Sequence, residues 1–119
     1  MEKTLVIDDK DIRFKTNGAI PLRYKAQFGR DYFKDILKML PASKAKKKKN
    51  EEAYDVKDLE TLDFEVFYNI AWVLAKTGNP EIPDPITWFS EFEEFPIGDI
   101  FPELQDLMIA TLSSTKKKL

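Results

Sequence analysis

Leu62-Asp63-Phe64-Glu65-Val66-Phe67-Tyr68-Asn69-Ile70-Ala71-Trp72-Val73-Leu74-Ala75-Lys76-Thr77 is the stretch on which the fold turns. Leu62, Val66, Phe67, Ile70, Val73 and Leu74 recur at helical spacing and make one apolar face. Phe64, Tyr68, Trp72 and Ala75 widen that arc well past an ordinary amphipathic stripe. The spacing predicts a central helix, touched on several sides. Asp63 and Glu65 near its start and Lys76 near its end suit the helix dipole. Gly78 followed by Pro80 supplies a stop.

Downstream, Asp84-Pro85 reads as a cap followed by a first helical position, leading into Ile86-Thr87-Trp88-Phe89-Ser90-Glu91-Phe92. Phe95-Pro96-Ile97-Gly98 breaks that helix. A last helix is expected after Asp99, with Ile100, Leu104, Leu107, Met108 and Leu112 on one face and Pro102 in its first turn. Ser113 to Leu119 is expected to fray.

Upstream, a helix is expected from Ala19 to Phe28, with Pro21 at its start and Gly29 taking a left-handed conformation at its end. A second is expected from Asp31 to Leu40, with Phe33, Ile36, Leu37 and Leu40 facing the core and Pro41 closing it. Residues 42–57, with the run Lys46-Lys47-Lys48-Lys49, have little to bury and read as a mobile, solvated loop. At the N-terminus, Leu5 and Ile7, then Ile12 and Phe14, alternate with polar neighbours around Asp8-Asp9-Lys10-Asp11, which predicts a β-hairpin. One hairpin is marginal alone, so its apolar face should lie on helices. The expected fold is a single domain over residues 1–119, mainly α (α+β), with an N-terminal β-hairpin packed on a bundle of about five helices.

Composition narrows the function. The 119 residues contain no cysteine and no histidine. Disulfides, thiolate metal sites and thiol catalysis are excluded, and the commonest neutral-pH base and metal ligand is missing. The inventory points away from an enzyme and implies no cofactor or metal, although carboxylate pairs alone remain as a rival chemistry. No run approaches the ~20 apolar residues of a membrane span, and Met1-Glu2-Lys3-Thr4 does not open a secretory signal. An intracellular, soluble protein is expected, with neither membrane nor nucleic acid as partner.

The formal net charge of −2 hides an asymmetry. Residues 1–57 hold fifteen Lys or Arg against nine Asp or Glu, whereas residues 58–115 hold Lys76 alone against twelve acids. The lysine-rich loop has three readings: solubility, nucleic-acid contact, or steering of a charged partner or a second copy. Nucleic acid fits poorly, because no aromatics interleave with the lysines and the acidic half repels phosphate. That half also admits a nucleic-acid mimic, or a small regulator that inhibits a partner protein. Glu91, Glu93 and Glu94 cluster, but a solvated helix face explains them.

Trp88, Phe89, Phe92 and Phe95 put four aromatics on one short segment. They either pack into the core or leave a patch for a partner. The candidate partner-binding residues are Tyr24 and Phe28 with Trp88, Phe89 and Phe92, rimmed by Arg23, Lys25 and Arg30.

Three groups of residues carry a family resemblance. Phe14-Lys15 is followed by Arg23-Tyr24-Lys25-Ala26-Gln27-Phe28-Gly29-Arg30-Asp31. Next come Asp63-Phe64-Glu65 and Ile70-Ala71-Trp72-Val73-Leu74-Ala75-Lys76, then Pro85-Ile86-Thr87-Trp88-Phe89 with Phe92. In order and spacing these resemble tail assembly chaperones of long-tailed, siphovirus-type phages and Gram-positive prophages. The resemblance implies a protein that coats and solubilises the tape measure protein in the bacterial host cytoplasm, helps recruit tail tube subunits, and is absent from the finished virion. It also implies a longer frameshifted product, with Lys116-Lys117-Lys118 placed where an adenine-rich slippery stretch would lie. An amphipathic client helix calls for helix-in-groove recognition, with many copies adding avidity.

Overall fold

A computed structural model describes residues 1–39 and 63–117. The chain runs β1 (Glu2–Ile7), β2 (Lys10–Lys15), α1 (Ile20–Phe28), α2 (Tyr32–Leu37), α3 (Phe64–Gly78), α4 (Pro85–Phe89) and α5 (Ile97–Lys117). The fold is mainly α, with a two-stranded antiparallel hairpin packed on helices. The expected lysine-rich loop at 42–57, with Leu40, Pro41 and Leu62, lies outside the described residues.

The hairpin turn is tighter than the four-residue turn expected. Only Asp8 and Asp9 form it, both at positive φ (55° and 65°), and Lys10 already pairs with Ile7. A two-residue turn of this handedness matches the strand twist, and Asp tolerates the left-handed region better than most residues. The register places Leu5 opposite Ile12 and Lys3 opposite Phe14. Residues 3, 5, 7, 10, 12 and 14 therefore share the inner face. Ile7 and Phe14 are buried, Leu5 and Ile12 pack at the margin, and Val6 points to solvent.

Helix α3 is the centre of the molecule. Asp63 caps it by accepting from the Val66 amide at 3.2 Å. Val66, Phe67, Ile70, Val73 and Leu74 are buried as the periodicity requires, and so are Ala71, Trp72, Ala75 and Thr77. Strand β2 and helices α1 and α2 all pack on it. The polar groups of this face are met locally: Trp72 Nε1 donates to the Pro83 carbonyl at 2.9 Å, and Thr77 Oγ1 to the Val73 carbonyl at 2.8 Å.

Helix α3 stops where predicted, and Gly78 has a second task. It is the last residue of α3, and Asn79 is the cap. A Cβ at Gly78 would lie 2.2 Å from the Arg13 carbonyl oxygen, so its absence lets α3 run up against the β2 backbone.

Helix α2 is rotated from its expected face. Tyr32, Ile36 and Met39 are buried with Asp35, while Phe33 and Leu37 are 40% and 54% exposed. The apolar count cannot separate Phe33 from Tyr32. The polar partners decide: the Tyr32 hydroxyl meets Thr111 Oγ1 at 2.9 Å, and Asp35 must face Arg30. Burial pushes the Tyr32 phenol up to about 12.

The last two helices also shift. Helix α4 ends at Phe89, short of Phe92. Helix α5 begins at Ile97, so Pro102 falls beyond the first turn and removes an N–H that would serve the Gly98 carbonyl. Ile100, Leu104, Leu107 and Met108 are buried as expected, with Phe101 beside them and Leu112 at the margin. The helix continues to Lys117 through the stretch expected to fray, since no Gly or Pro after Pro102 interrupts it.

Polar links join the hairpin to the C-terminal half. Lys3 Nζ reaches Glu103, at 3.1 Å to Oε1 and 3.2 Å to the carbonyl. Lys10 Nζ donates to the Glu91 carbonyl at 2.7 Å and lies 5.0 Å from the Phe92 ring centre. The Glu93 amide donates to Asp8 Oδ2 at 3.0 Å.

Substituting Gly78→Ala should destabilise the protein by about 1–3 kcal/mol, because backbone must move to admit the methyl and this outweighs the gain in helix propensity. Urea unfolding of the two proteins measures it. Equal or greater stability of the variant would contradict the close approach.

Candidate functional site

The residues proposed from sequence as one partner-binding set fall into two separate clusters. The first joins α1 and α2. Tyr24 is fully buried, against the exposed role expected of it, with its ring 5.0 Å from Phe28 and 5.3 Å from Tyr32. Its hydroxyl donates to Asp35 Oδ2 at 2.8 Å. Arg30 grips the same carboxylate with two hydrogen bonds, Nε to Oδ2 at 2.6 Å and Nη2 to Oδ1 at 2.9 Å. Lys38 stands 3.6 Å from Oδ1.

This is a structural lock. Asp35 is a buried anion on a six-residue helix, and burial alone would raise its pKa. The Arg30 guanidinium, seconded by the Tyr24 hydroxyl, instead holds the carboxyl below its usual range. Burial, then the hydrogen bond to Asp35, pushes the Tyr24 phenol well up. Arg30 is thus committed to Asp35 and gives no free rim charge. Phe28 is half-buried, edge-on to Trp72 at 5.8 Å. Arg23 is half-buried, its Nε enclosed without a hydrogen-bond partner. Lys25 alone is exposed as proposed.

The second cluster is built by α4, its following turn and α3. Asp84 caps α4 by accepting from the Thr87 amide at 3.1 Å and from the Thr87 hydroxyl at 2.8 Å. Those bonds, the hydroxyl's first, hold the Asp84 carboxyl below its usual range. With α4 fixed, Trp88 turns inward and is 3% exposed, and Phe92 follows it. Their rings lie 5.0 Å apart, nearly perpendicular. Phe89 and Phe95 are half-buried, 5.0 Å apart, and both meet Tyr68 of α3, at 4.8 and 5.7 Å.

Outside this ring cluster lies a shallow groove of about 530 Å³, lined chiefly by Tyr68, Asn69, Pro85, Ile86, Phe89 and Phe95. Ile86 is 78% exposed. The sequence reading passed over Ile86 and placed Tyr68 only in the widened helix arc. Position in the helix was the available signal. Ile86 is two residues from the inward Trp88, roughly opposite it on the helix wheel.

The four-aromatic segment is therefore divided between the two alternatives. Trp88 and Phe92 are core, whereas Phe89 and Phe95 are shared between core and surface. Trp88→Ala is thus a test of stability and cannot isolate a binding patch. Among the described residues, no group of three or more His, Cys, Asp or Glu is placed to hold a metal ion. No described helix is long and apolar enough to cross a membrane.

Two outcomes follow. Asp35→Asn should cost about 2 kcal/mol at neutral pH. Because the folded carboxyl has the lower pKa, that difference persists above the unfolded value, near pH 4, and vanishes as pH falls through the folded value. Denaturation midpoints across pH would show it, and a constant difference would refute the lock. Trp88→Ala should cost about 3–5 kcal/mol, while Ile86→Ser should stay within about 0.5 kcal/mol. Thermal unfolding of the pair checks whether Ile86 is as free as its exposure says.

Comparisons with protein-family models, with curated proteins and with solved structures find no match for this chain.

Proposed function

We propose that this protein is a phage tail assembly chaperone, binding and solubilising the tape measure protein in the bacterial host cytoplasm and helping to recruit tail tube subunits without performing chemistry. The observation that carries the reading is the open aromatic groove beside Ile86. It offers apolar surface to a partner on a protein with no histidine or cysteine. Rigid rings on a capped helix accept varied apolar side chains at low entropic cost, which suits a client recognised along its length.

The resemblance described above also supports the reading. Many of its residues occupy positions that build this scaffold. Tyr24 and Arg30 form the Asp35 lock, Gly29 ends α1 at φ 69°, Ile70 to Ala75 fill the core, and Pro85 to Phe89 form α4. The carried-over pattern thus includes the segment that borders the groove.

Co-expression with the tape measure protein from the same gene cluster tests the reading. The client, insoluble alone, should become soluble and co-elute with this chain, and Ile86→Glu should reduce the recovered complex several-fold while the chaperone itself stays folded. A client that remains insoluble, with no co-elution, would sink the proposal.

A further inference from the structure

The groove has a charge as well as a shape, and the two together define what it takes. From Thr77 to Thr115 the sequence has eight Asp or Glu and no Lys or Arg. Glu93 lines the groove itself, Asp84 precedes the lining Pro85, and Glu94 precedes the lining Phe95. All three are exposed. Asp84 keeps its negative charge while capping α4, because the Thr87 hydroxyl and amide both donate to it.

The described cations nearby make their hydrogen bonds elsewhere, although the Lys10 ammonium stands 5.0 Å from the ring of Phe92, which lines the groove. Lys10 points to the Glu91 carbonyl, Lys76 to the Pro80 and Ile82 carbonyls at 2.9 and 2.7 Å, and Arg30 to Asp35. None of them lines the groove. The result, among the described residues, is an apolar floor of aromatic rings with an acidic margin and no lining Lys or Arg.

Resting on the chaperone reading, we infer that this groove selects amphipathic helical segments whose apolar anchors are flanked by Lys or Arg. Apolar residues of the segment sit against Ile86, Phe89, Phe95 and Tyr68. The flanking cations lie over Glu93, Asp84 and Glu94. A segment with acidic flanks meets the same floor but is repelled at the margin, so the margin decides which stretches of a long client are held. Long basic side chains suit the geometry, since their stems cover apolar surface while their charged ends reach the carboxylates.

The test uses the full chain and three designed amphipathic peptides that share one leucine-rich face and carry lysine, glutamine or glutamate at the flanking positions. Titration calorimetry at low salt should give the lysine peptide about tenfold tighter binding than the glutamine peptide, with the glutamate peptide weakest. The lysine advantage should shrink as salt is raised. Ile86→Ser should weaken all three, and Glu93→Lys should remove much of the lysine preference while the glutamine peptide still binds.

Equal affinity for lysine and glutamine peptides, both weakened by Ile86→Ser, would overturn the charge selection and leave the chaperone reading standing. Lysine-peptide binding indifferent to both substitutions would mean diffuse attraction to an acidic surface, and would also overturn it. Binding of no peptide would defeat the inference, with client solubility deciding the chaperone reading separately. Self-association of the chain lost on Ile86→Ser, with no competition from the peptides, would make a second copy the occupant and defeat it too.

Discussion

Helix α3 is apolar on most of its circumference, and in water such a helix must be covered or it will aggregate. Nine of its fifteen residues are buried, from Val66 to Thr77. That requirement organises the molecule. Strand β2 and helices α1 and α2 cover α3 from different sides, and Phe101 of α5 meets Phe67 at 5.8 Å. Close coverage has a steric condition at one end, where the β2 backbone occupies the space a side chain at Gly78 would need. The hairpin, marginal alone, is held by contact with this helix and by the lysines that cross to the C-terminal half.

The helices with strong local signals were legible from sequence for physical reasons. Asp84 stands where a cap is needed, Gly29 where a left-handed residue is needed, and the apolar spacing of α3 and α5 matches their burial. Asp63, read only as an acid suited to the helix dipole, proves to be the cap of α3. Helix α2 was misread because Tyr32 and Phe33 are adjacent and comparably apolar. Only a tertiary fact, the meeting of Asp35 with Arg30 and Tyr24, turns Tyr32 inward and Phe33 outward. The same fact removed Tyr24 and Arg30 from the proposed binding set. A charged residue beside an aromatic can rim a site or neutralise a buried acid, and sequence spacing does not distinguish the two.

The groove was half legible. Four aromatics on a segment punctuated by prolines exceed what so short a helix can hide, and the structure divides them: Trp88 and Phe92 go to the core, while Phe89 and Phe95 keep a face outside. That division ties the surface rings to the stability of the core. The buried pair packs against the half-exposed pair, so the floor of the groove is built directly on the core.

Charge separation along the sequence is only partly cancelled by folding. Lys3 and Lys10 cross from the basic half to Glu103 and to the Glu91 carbonyl, and they dock the hairpin in doing so. Their ion pairs are with Glu103 and Asp8 rather than with Glu93 or Asp84, although Lys10 stands 5.0 Å from the ring of Phe92 at the groove. Had a hairpin lysine instead reached Glu93 or Asp84, the margin would carry internal ion pairs and offer a partner little. The Glu93 region is tied to the hairpin through the Glu93 amide on Asp8, a backbone bond that leaves the Glu93 carboxylate out of the docking. Docking of the hairpin therefore uses the Glu93 amide and the Glu91 carbonyl, and the Glu93 carboxylate of the same turn takes no part in it.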